Sequence, residues 1–216
     1  AWCCWSGCGC RTYGAAVRPE RLAVAAVLAI GLWQLAAGAW LPLKAWAAQS
    51  LLREAWQETR HGGGAVRPWP WADTWPVARL RAIGGMVDLV VLSGGSGRTL
   101  AFGPGHLEAS AAPGAPGNTV LVGHRDTHFR FLAELEAGDE LELETGDGRR
   151  LHYRVTGTAV LDARSDGIGL DDAADRLTLV TCYPFDAARP GGPLRYLVTA
   201  ERPADGPAIP AAARPR

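Results

Sequence analysis

Three side chains suited to acyl-transfer chemistry stand where strand-like runs stop. Cys182 closes the β-branched stretch "TLVTC". A residue at a strand end is held in direction by the strand and left open on the loop side. A thiol at its free pKa is mostly protonated near neutrality, so a nucleophilic Cys182 needs a base or a cation beside it. His124 ends a second such run in "VLVGHRDTHF", where Gly123 allows close backbone approach. An imidazole there suits general acid or base work. Arg195, in "GGPLRYLVTAE", opens the next strand-like run and offers a permanently charged fork of donors for an oxyanion or a carbonyl. Each residue taken alone has a plain structural reading: a buried cysteine, a polar loop histidine, a salt-bridged edge arginine. Arg125, adjoining His124, is a competing cation.

Taken together the three have an order: a histidine, then a cysteine, then an arginine 13 residues after it. That conjunction is far more specific than any member. Papain-like enzymes run in the opposite order, cysteine first. His124 and His128 form H-x-x-x-H, a metal pair on a helix, but Gly123 and the loop-like "HRDTHF" disfavour a helix here. No metal and no cofactor is expected. His61, His106 and His152 have no partner pattern and read as structural or surface residues.

The elements that must position these residues are mostly strands. "MVDLVVLSG", "NTVLVGH", "DELELET", "LHYRVTGTAVL", "RLTLVT" and "RYLVTAE" are β-branched or alternate with period two. Asp147-Gly148 marks a hairpin. "FRFLAELEAGD" reads as the one short helix, ended at Gly138. Seven or eight short strands, little helix and long Gly/Pro loops suit an all-β fold with minor helix, a closed antiparallel barrel in preference to a βαβ sheet.

The chain of 216 residues accommodates one domain plus extras. Its formal net charge of zero gives no electrostatic support to a nucleic-acid partner. Four of the five cysteines, Cys3, Cys4, Cys8 and Cys10, crowd a leader over residues 1–21. They have no second half at zinc-finger spacing, and a small metal or disulfide knot is the lesser reading. The leader reads as an unstructured cytoplasmic segment, from an over-extended start. Residues 22–43, "LAVAAVLAIGLWQLAAGAWLPL", carry no charge and are long enough to cross a bilayer core of about 30 Å. Arg11, Arg18 and Arg21 before this run favour a cytoplasmic N-terminus, and Trp33, Trp40 and Trp46 fit an interfacial belt. A cleaved signal is the rival reading, and either one exports the downstream domain. Residues 44–76 combine an amphipathic helix (Leu51, Leu52, Ala55, Trp56) with a Pro/Trp-rich linker. Residues 77–202 form the folded domain, and 203–216 a disordered Pro/Ala tail. Only Cys182 remains in the exported part, where thiols tend to be paired.

At this point the sequence resembles the sortases, membrane-anchored cysteine transpeptidases whose TLxTC motif stands here as "TLVTC", residues 178–182. "VGHRD" and "PLRYLV" match the settings of the family's histidine and arginine. The stretch from "GRTLAFGPGH" to "HRDTHFRFL" looks like the Gram-negative branch, class GN. The resemblance covers about residues 86–202. It implies an eight-stranded barrel behind an N-terminal transmembrane helix, in the inner membrane with the catalytic domain on the periplasmic side. It implies Cys182 as nucleophile on an LPxTG-like sorting signal and His124 as general acid and base. Arg195 would position the carbonyl and its oxyanion. The partners are a substrate protein bearing that signal and an amine acceptor. The long loop "YPFDAARPGGP" departs from Gram-positive relatives, so substrate preference is not carried over. Two other readings stay open. One is an exported cysteine hydrolase or L,D-transpeptidase-like peptidoglycan enzyme, whose usual arginine lies two residues after its cysteine. The other is a non-catalytic anchored barrel, in which Cys182 would be inert.

Overall fold

The computed structural model describes residues 19–170, 175–187 and 191–203. The leader cysteines and nearly all of the Pro/Ala tail lie outside these residues. Contacts divide the chain into two compact units, Ala1–Lys44 and Ala45–Arg216.

Helix α1 (Pro19–Glu58) supplies residues to both units. Proline suits a first helical position because its missing N–H would have no partner there, and Glu20 complements the dipole. In the first unit the apolar side chains are exposed, among them Leu28, Leu32, Trp33 and Leu35. This is the one helix among the described residues long and apolar enough to cross a membrane. Near its end the Lys44 ammonium lies 4.7 Å from the Trp40 ring centroid.

In the second unit the amphipathic helix expected from Leu51, Leu52, Ala55 and Trp56 buries three of these four, while Leu51 is 40% exposed. Leu52, Ala55 and Trp56, at helical spacing, are buried. Helical winding then loosens over Thr59–Gly63 and stops where Gly62 and Gly64 take positive φ. Arg60, from this segment, pairs at 3.0 Å with the fully buried carboxylate of Glu144, which also meets Arg81 at 3.1 Å. A buried carboxylate is tolerable only when paired in this way.

Eight strands close into a barrel in the order β1-β2-β3-β4-β7-β8-β6-β5. They are β1 (Pro76–Ala82), β2 (Val87–Ser93), β3 (Gly105–His106), β4 (Asn118–Val122), β5 (Glu140–Thr145), β6 (Arg150–Asp162), β7 (Arg176–Cys182) and β8 (Leu194–Glu201). The alternating burial of β1, with Ala78, Leu80 and Ala82 inward and Arg79 and Arg81 outward, is what one-sided packing demands. Leu121, Phe129, Leu141, Leu143, Leu177, Leu179 and Val198 fill the interior.

Three sequence expectations need correction. The barrel is mixed, not antiparallel: β2 runs parallel to β3, and β4 parallel to β7. Parallel neighbours need a crossover, and the β5–β6 hairpin supplies it. "FRFLAELEAGD" is a single 3₁₀ segment, Arg130–Glu134, that gives way to extended backbone at Leu135. Gly138 takes its φ of 103° in a later turn. Finally, a short helix α2 (Gly97–Leu100), capped by the Ser96 hydroxyl, and the strands β1 and β3 were not anticipated.

Candidate active site

Strand β7 is buried on both faces because side chains pack against it from the barrel interior and from outside. Leu177 and Leu179 point into the barrel. Thr178, Val180 and Cys182 alternate with them and share the outer face, where Val180 packs with Val120 and Leu197. Register then decides what stands beside the thiol. Across β8, Cys182 is opposite Arg195, and Val180 opposite Leu197. Across β4, Val122 is opposite Val180. One further period of two would bring His124 level with Cys182, but β4 ends at Val122.

Contact with β7 continues as far as Gly123. The Gly123 amide donates to the Val180 carbonyl at 3.1 Å, and the Thr181 hydroxyl donates to the Gly123 carbonyl at 2.8 Å. The outer face thus sets Cys182 and Arg195 in one cross-strand row, about 4.8 Å apart in the backbone. The hydrogen bonds of Gly123 hold the chain just before His124 against the same strand.

Gly123 is needed for a specific reason. A Cβ there would stand 2.7 Å from the Phe129 ring, which is fully buried. The chain turns back directly after His124, whose carbonyl accepts from the Phe129 amide at 3.0 Å. His128 is half-buried in this turn. Burial, and then the nearby His124, push its pKa below the ordinary imidazole value. Among the described residues no group of His, Cys, Asp and Glu has the arrangement of a metal site.

Cys182 is half-buried and free. Arg195 donates through Nη1 to the carbonyls of Gly192 (2.7 Å) and Leu194 (2.9 Å), which ties it to the entry of β8. The loop leaving Cys182 is braced by aromatic rings. Tyr183 stacks on Tyr196 at 6.0 Å, and Phe185 meets Tyr196 edge-on at 5.1 Å.

Arg125 turns out to have a different place from the one its sequence suggested. Its side chain is only 7% exposed, and it pairs with Asp126 at 2.8 Å. It also donates to the carbonyls of Pro184 and, at 3.0 Å, Ala187. Its guanidinium therefore fastens the loop after Cys182 to the turn after His124. Its pairing draws the Asp126 carboxyl below the ordinary carboxylate range. The neighbouring "RD" hinted at the ion pair, but nothing in the sequence showed the two carbonyls.

Two cavities flank the row. One, of about 270 Å³, is apolar. Leu107, Leu161, Ile168, Leu170 and Leu197 line it, and it ends at Arg195. The other, of about 470 Å³, is charged, with Arg125, Asp126, Arg130, Glu134 and Asp186 around it.

The family model described as the sortase domain matches residues 79–203. The chain belongs to the sortase family. A curated relative, sortase D of Bacillus subtilis, is 36% identical over 116 residues, covering 53% of this chain and 58% of that protein. The sortase thus spans less than two thirds of that relative's length. Among solved structures, sortase C-1 of Actinomyces oris is 32% identical with a TM-score of 0.52, over 59% of this chain and 72% of that one. A Clostridium perfringens sortase D5 transpeptidase is 23% identical with a TM-score of 0.57, over 72% and 98%. At that identity the likeness speaks for the fold alone.

Proposed function

We propose that this sortase is a membrane-anchored cysteine transpeptidase that uses Cys182, His124 and Arg195 on a sorting signal of LPxTG type. The observation that carries the reading is the register that sets Cys182 opposite Arg195, with Gly123, the residue before His124, bonded to Val180 on the other side of β7. The thiolate of Cys182 attacks a backbone carbonyl of the signal, forming the S–C bond. Arg195 faces the oxygen that becomes negative. The C–N bond breaks as His124 gives its proton to the departing amine. An incoming amine then attacks the thioacyl carbon and returns a proton to His124. The new C–N bond forms, and the S–C bond breaks to release the thiolate. No cofactor takes part in this sequence of steps.

The apolar cavity ending at Arg195 suits the apolar residues of the acyl donor. The charged recess on the side of Asp126 and Asp186 suits a cationic amine acceptor. Residues 22–43 serve as the anchor, with Lys44 and Trp40 at the interface, and the barrel lies on the periplasmic side of the inner membrane. The stretch around "GRTLAFGPGH" supports a place in the Gram-negative branch.

Intact-mass measurement of the detergent-purified chain with candidate sorting peptides tests the chemistry. The expected result is a mass gain equal to the peptide's N-terminal fragment, mapped to Cys182 and absent in Cys182→Ala. A Cys182→Ala variant that still turns the peptide over would end this reading.

A further inference from the structure

Part of the wall of the apolar cavity is not a strand. Ile168 and Leu170 belong to the connection between β6 and β7, whose described residues form no strand ladder. Between them lies Gly169, whose carbonyl accepts a 2.8 Å hydrogen bond from the Asn118 amide nitrogen. The other end of the same amide is also engaged. Its Oδ1 accepts from the Thr178 hydroxyl at 2.8 Å. Asn118 and Thr178 are both 2% exposed, on the outer face of β4 and β7. A planar amide with fixed partners at both ends has no freedom to turn. A buried amide that loses a partner bears the full cost of desolvation.

We infer that Asn118, held by Thr178, is a positioning residue that sets the acyl-donor cavity by clasping Gly169. This rests on the cavity being the donor site. The clasp lies three strand rows from Cys182 on the same face, so it acts on the shape of the cavity wall and not on the thiol. Within the "TLVTC" motif the first threonine thereby gains a task of its own. Thr178 orients the amide that fixes the peptide's neighbours.

The test uses the full chain in detergent, as wild type, Asn118→Ala and Asn118→Asp. The aspartate keeps the size and the acceptor for Thr178 but removes the donor to Gly169, so it serves if the alanine variant does not fold. Three readouts are taken. Trypsin cleavage after Arg164, an exposed arginine in the same connection, reports on the clasp without any substrate. Alkylation of Cys182 by iodoacetamide reports on the thiol. Turnover of a quenched-fluorescent Leu-Pro-Ala-Thr-Gly peptide gives KM and kcat. Cleavage after Arg164 is expected to quicken several-fold, and KM to rise about tenfold, the effect of one lost buried hydrogen bond. The kcat value and the alkylation rate should stay within twofold of wild type. Unchanged cleavage after Arg164 would overturn the clasp. Quicker cleavage with an unchanged KM would overturn its role in the cavity. A matching fall in kcat and in alkylation would show that the effect runs through β7, and would also overturn the proposal. A wild-type chain that leaves the peptide uncut counts against the transpeptidase reading, while the trypsin result still decides the clasp.

Discussion

Arg195 makes the clearest case for reading chemistry at the level of single residues. Its guanidinium is anchored through one nitrogen to Gly192 and Leu194, at the position opposite Cys182. A planar fork fixed at one tine still presents further donors in a known direction, whereas an ammonium is a point charge on a flexible stem. Arg195→Lys should therefore keep the fold and the alkylation rate of Cys182, yet lower kcat/KM for a sorting peptide by about 100-fold, the scale of losing one oxyanion donor. Steady-state kinetics with thermal melting checks this. A lysine variant with wild-type turnover would remove Arg195 from the oxyanion role.

Strands set the second scale. Thr181, on the inner face of β7, donates to the Gly123 carbonyl and so locks the strand bearing the thiol to the residue before His124. Thr181→Val keeps the shape but leaves that buried carbonyl without the hydroxyl, at a cost of about 1–2 kcal/mol. Denaturant unfolding should show that loss. Turnover should fall more than the stability change explains, because the spacing of His124 and Cys182 depends on the same bond. Equal activity in the valine variant would mean that the backbone ladder alone holds the pair. How far the elements could be read from sequence depends on the same physics. The β-branched runs of β4, β7 and β8 announced themselves, and with them the strand ends that carry His124, Cys182 and Arg195. The parallel pairing of β4 with β7 was not legible, since a residue run does not reveal which neighbour it will meet. Strand β3 is two residues long, too short to show any period. Strand β1 was obscured by the Pro/Trp-rich stretch before it. Asn118 was legible as the start of the "NTVLVGH" strand but not as a clasp, because the engagement of its amide depends on Gly169, far along the chain.

For the whole molecule, pH offers a test that needs no substrate. Burial holds His128 below the ordinary imidazole pKa, so the unfolded chain binds a proton more readily at this position than the folded one. Its contribution is complete above about pH 6.5 and is lost as pH falls through the lowered folded value. Asp88, held below the carboxylate range by its hydrogen bonds from Arg79, acts in the same sense at lower pH. Its contribution is complete above the ordinary carboxylate pKa and disappears in stronger acid. Melting temperature should thus decline in two steps on acidification, and His128→Asn should flatten the first alone. A variant with an unaltered first step would assign it to another group. The strand order carries a consequence in time. The imidazole follows β4, which leaves the ribosome well before β7, and the thiol's own strand is inserted between two others. A chain interrupted anywhere before residue 195 lacks one member of the row. On the roles proposed for these residues, a nascent chain should have no transpeptidase activity, and the onset of activity should mark the closing of the barrel by its last strands.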